Sequence, residues 1–80
     1  MNDDELAAQI AQLKVEDILV GTASTLASVA FAKLEAKDRE QAKRAIDALA
    51  TILTLLEDAG LKRDLGAALA NLQVAYAAEV

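Results

Sequence analysis

The chain has 80 residues, 55% hydrophobic and 26% charged, with a formal charge of -5 and no cysteine, histidine or proline. That inventory excludes disulfides, thiolate and imidazole metal sites and Ser-His or Cys-His catalysis, and its acidic balance repels phosphate backbones and anionic lipid. One Tyr and one Phe leave no stacking platform for single-stranded nucleic acid either.

One small helical domain is expected over residues 1–80, with a thin core, because a short chain buries a modest share of its surface. Ala and Leu dominate, and glycine occurs only at Gly21, Gly60 and Gly66. Such a composition favours helix throughout and carries no strand signal. The apolar share exceeds what a thin core hides, which points to a homo-oligomer, most simply a dimer, or to an obligate protein partner.

The opening Met1 to Glu5 is acidic where a secretory signal would be basic, and a cytosolic protein is expected. Leu6, Ile10 and Leu13 then form a short amphipathic stretch after the acidic cap residues Asp3 and Asp4, whose charge suits the positive end of a helix. This predicts a short extra N-terminal helix, a break near Lys14, and a main helix opened by Glu16 and Asp17.

From Ile18 to Ala32 no side chain is charged. An ordinary surface helix has an apolar stripe and a charged back, so a helix without that back requires protein or lipid around most of its circumference. The run measures about 22 Å, short of the roughly 30 Å hydrocarbon core, and no transmembrane segment is expected. Gly21, Ala23, Ser24, Thr25, Ala27 and Ser28 form interleaved small-x-x-x-small spacings that let two helix backbones approach closely. With Phe31 they are the candidate interaction surface; packing against the chain's own helices explains the same spacings.

Asp38 followed by Gln41 has the spacing of a capping box and places the start of a second main helix. Its stripe is Ala42, Ile46, Leu49, Leu53 and Leu56, widened by Ala45 and Ile52. Gly60 is expected to be the left-handed residue that ends this helix. A third helix then packs antiparallel to the second through Leu65, Leu69, Leu72 and Tyr76. The fold class is therefore all-α: a helical hairpin packed on a long first helix.

Asp47 lies among apolar neighbours and reads either as a functional carboxylate or as a boundary group paired with Lys43 or Arg44. Tyr76 reads as a core-edge residue, and Asn71 and Gln73 as solvent-facing groups or register-setting ones at an interface. Glu57-Asp58 sits at a helix end where its charge does not suit the dipole. Together with Asp64 it lacks the spacing of a calcium loop. No phosphate-cradling glycine motif occurs. Catalytic residues, cofactors and metals are not expected, and the protein is read as no enzyme.

Asp38 to Leu49, the Leu55-Leu56-Glu57 step and Leu65 to Ala77 resemble a small bacterial family, domain of unknown function 1844. The final helix carries the family's Leu-x-x-Leu-x-x-x-Tyr spacing in Leu69, Leu72 and Tyr76, and the discriminating parts are the Ile46-Asp47 step and the Leu72-Gln73-x-x-Tyr76 run. The resemblance runs from Val15 to Ala78 and implies a compact helical domain without an assigned activity. The functional expectation is a structural or interaction module acting by helix-helix self-association. The alternative is an adaptor or small subunit whose first-helix groove binds a helix of a different protein.

Overall fold

The computed structural model describes residues 2–78, so Met1, Glu79 and Val80 of the expected 1–80 domain lie outside the described residues. Among the described residues the architecture is all-α, with four helices: α1 (Asp3–Ala11), α2 (Val15–Glu35), α3 (Arg39–Leu53) and α4 (Ala59–Ala78). Helices α2, α3 and α4 each pack against the other two, while α1 packs against none of them. The expected short N-terminal helix is thus α1, and the three main helices are α2 to α4.

Local signals explain the boundaries. Asn2, rather than Asp3 or Asp4, caps α1 through a 2.8 Å bond from the Glu5 N–H to its Oδ1, leaving Asp3, Asp4 and Glu5 in the first turn. The break falls at Lys14, whose extended backbone (φ -91°, ψ 130°) opens α2. Asp38 caps α3 by accepting from the Gln41 N–H at 3.2 Å, as its spacing predicts.

The left-handed residue is not where the sequence placed it. Gly60 has no positive φ and lies in the first turn of α4; the positive φ belongs to Lys37, at 64°. There α2 closes in a Schellman motif, with Lys37 N–H on Leu34 O at 3.1 Å and Asp38 N–H on Lys33 O at 2.9 Å. The expectation for Asp58 is corrected as well. Its Oδ1 accepts from the Leu61 N–H at 3.0 Å, so it caps the N-terminus of α4, where negative charge suits the dipole. A side chain at Gly60 would begin 3.3 Å from that carboxylate oxygen, so glycine here keeps the cap uncrowded.

The core is the predicted stripe. Ala42, Ala45, Ile46, Leu49 and Leu53 of α3 are buried, with Leu56 just beyond it, Ala23, Ala30 and Leu34 of α2, and Leu72 of α4. Leu65, Leu69, Ala75 and Tyr76 pack around this cluster. Leu49 and Leu72 are its largest fully buried side chains.

Two long-range contacts fix the helix directions. The Glu16 carboxylate, in the first turn of α2, accepts the Glu57 N–H beyond α3 at 3.1 and 3.2 Å to its two oxygens. Arg39, first in α3, stacks its guanidinium 4.0 Å from the Tyr76 ring centroid and donates from Nη1 to Tyr76 O at 2.8 Å. Both α2 and α4 are therefore antiparallel to α3. Arg39 gives up a solvated charge for an aromatic face and a helix-end carbonyl, which suits a cation near a C-terminus.

Candidate interaction surface

The uncharged segment of α2 has two faces. Leu19, Val20, Ala23, Leu26, Ala27, Ala30 and Leu34 turn towards α3 and α4. Gly21, Ser24, Thr25, Ser28 and Phe31 are exposed. At 100° per residue, Gly21, Thr25, Ser28 and Ala32 form a row opposite the core, flanked by Ile18 and Val29 on one side and by Ser24 and Phe31 on the other.

The candidate residues therefore separate. Ala23 is fully buried in the chain's own core and Ala27 is half-buried against it, so neither belongs to the outer surface. The reason is angular. Residues 23 and 27 lie a turn from the core positions Leu19 and Ala30, whereas 21, 25 and 28 are rotated by roughly half a turn. The interleaved small-residue spacings thus serve two surfaces: an inner one that lets α3 approach, and an outer one that is open.

The outer row is smooth. Nothing lies within 4 Å of where a Gly21 side chain would begin. The Thr25 hydroxyl donates to Gly21 O at 3.0 Å, so its polarity is discharged within its own helix. Val29 and Phe31, 40% and 43% exposed, project beside the row.

A second apolar surface lies on α1. It has no buried residue. Leu6 and Ile10 on α1 are 48% and 56% exposed, Leu13 in the link beyond its end is 59% exposed, and Val15 and Ile18 at the start of α2 are exposed as well. Sequence reasoning found the Leu6, Ile10, Leu13 stripe but did not include it in the interaction surface. The signal was available: an amphipathic stripe on a short helix requires something to pack against.

The polar candidates are bland by comparison. Asp47 lies on the solvent face of α3, 2.8 Å from Lys43 Nζ. The hydrogen bond to Asp47, and then its charge, raise Lys43 above the usual lysine range. Tyr76 is half-buried under Arg39, while Asn71 and Gln73 are exposed on α4. Among the described residues there is no grouping of acidic side chains able to hold a metal ion. Taken whole, α2 is long and apolar enough to cross a membrane by length and composition. Searches with this chain match no protein-family model, no curated protein and no solved structure.

Proposed function

We propose that this protein is a non-catalytic structural or interaction module that works by helix-helix self-association, most simply as a twofold dimer through the outer face of α2. The observation that carries the reading is that face itself: a row without charge from Ile18 to Ala32, open along Gly21, Thr25 and Ser28, and bordered by exposed Val29 and Phe31. A closed dimer buries it against apolar surface of another copy, which costs no desolvation of charge.

The membrane-spanning length of α2 is weaker support for a lipid partner. Ala23, Ala30 and Leu34 are committed to the bundle, so α2 would have to leave α3 and α4 to be surrounded by lipid. We accordingly read the protein as cytosolic, without cofactor, metal or nucleic acid. The resemblance of Asp38 to Leu49 and Leu65 to Ala77 to domain of unknown function 1844 belongs to this proposal.

Sedimentation equilibrium of the purified chain tests it. A dimer at micromolar concentration is expected; a monomer up to 100 µM would overturn self-association. A monomer that captures one partner from the native host would favour the adaptor reading. Recovery in the pellet with release only by detergent would favour a membrane.

A further inference from the structure

We infer that α1 and the link after it form an exchanged arm, whose exposed Leu6, Ile10 and Leu13 are covered by the outer face of α2 in a second copy of this chain. The inference rests on the self-association proposed above and adds the element that completes the interface. In this structure α1 touches no other helix and buries no residue, yet its stripe is apolar.

The surface balance argues that the stripe has an occupant of protein size. The chain exposes 5549 Å², whereas a compact monomer of its 8.4 kDa exposes about 4600 Å². The excess of about 900 Å² per chain is close to the roughly 800 Å² that each partner buries in a standard stable interface.

Geometry argues that the occupant is another copy. The longest dimension is 51 Å, close to the ~50 Å of Asp3 to Glu35 laid end to end at the helical rise. So α1 runs on from α2 instead of folding back on it. The link is held by Gln12 N–H on Gln9 O at 3.2 Å, Leu13 N–H on Ile10 O at 3.1 Å, and the extended Lys14. In this conformation α1 lies beyond reach of its own outer row. A twofold axis near Ile18 would set two chains antiparallel, with each α1 along the C-terminal half of the other's α2 and Ile10 about level with Ser28.

Exchange of an identical element is a low-cost route to a closed dimer, because both surfaces already exist on each chain.

The absence of cysteine makes a direct test clean. Chains carrying Ile10→Cys and chains carrying Ser28→Cys are mixed, exchanged and oxidised; a disulfide between the two kinds of chain is expected in preference to either homodimer. In parallel, Ile10→Glu is expected to raise the dimer dissociation constant at least tenfold. Its circular dichroism melt should be unchanged at a concentration where both proteins are monomeric, since Ile10 is outside the core. A wild-type dimer with no mixed disulfide and an unaltered constant for Ile10→Glu would overturn the exchanged arm and leave self-association standing. A wild-type monomer at 100 µM would overturn both.

Discussion

Helices α2 and α3 lie side by side and divide their surfaces in opposite ways. In α3, five of 15 residues are buried and all sit on one stripe, with a charged back of Glu40, Lys43, Arg44 and Asp47. In α2, three of 21 are buried, and the other side is small, uncharged and open. The difference teaches what each is for. The α3 helix is complete within the chain, its exposed side already solvated, while the apolar perimeter of α2 is larger than this fold covers.

The comparison can be broken first at the core. Leu49→Ala removes the centre of the α3 stripe and is expected to cost about 2–5 kcal/mol. In a domain this small that is a large share of total stability, so thermal denaturation should show Tm lowered by at least ~10 °C. Leu72→Ala, opposite it on α4, should behave alike.

Ser28→Glu sharpens the other half. It places a charge on the outer row of α2 without touching the core, so size exclusion with light scattering should show loss of the dimer while the monomer keeps its helicity. Ala27→Glu would be a poor substitute, because residue 27 also leans on the core. If Ser28→Glu leaves the assembly intact, the contrast between α2 and α3 has no functional meaning.

Arg39→Ala tests what ties α3 to α4. Loss of the ring contact and the bond to Tyr76 O should cost about 1–2 kcal/mol, read by chemical denaturation. Arg39→Lys should recover part of it, since an ammonium cannot stack and bond in the same planar way. Glu16→Ala, which releases the Glu57 N–H into solvent reach, is expected to cost less, roughly 0.5–1 kcal/mol.

The smallest effect belongs to the α3 surface. Lys43 has a raised pKa in the folded state, so the stability it adds is fully present below its unfolded pKa. That contribution is lost only as pH rises through the higher folded value, in the alkaline range. Both side chains of its pair with Asp47 are more than half exposed. Solvent screening makes that contribution too small to register, so Lys43→Met should leave the melt at neutral pH unchanged, and a measurable loss there would assign Asp47 a role that its solvation argues against.

Much of this was legible before any coordinates. The α3 stripe reads at alternating steps of three and four, the Asp38 cap reads from its Gln41 partner, and the break at Lys14 reads from the edge of a charged block. The left-handed residue did not. Glycine is the default there, but Lys37 takes the position because two Schellman hydrogen bonds close α2 at that point. Gly60 meanwhile is drawn into α4 by the Asp58 cap. Arg39 over Tyr76 was hidden as well, since the two are 37 residues apart and nothing local marks either.

Sequence alone determined the class, the three main helices and the core stripe, because local periodicity and caps decide which residues share a helix face. It also determined which chemistries are impossible, since those follow from residue types absent altogether. Only the tertiary structure decided which side of α2 is spent. Ala23 and Ser24 are neighbours of equal standing in the small-residue pattern, yet the packing of α3 and α4 buries the first and leaves the second in solvent. A repeat of small residues fixes a spacing along a helix, and the rotation of that helix against its neighbours fixes what the spacing faces.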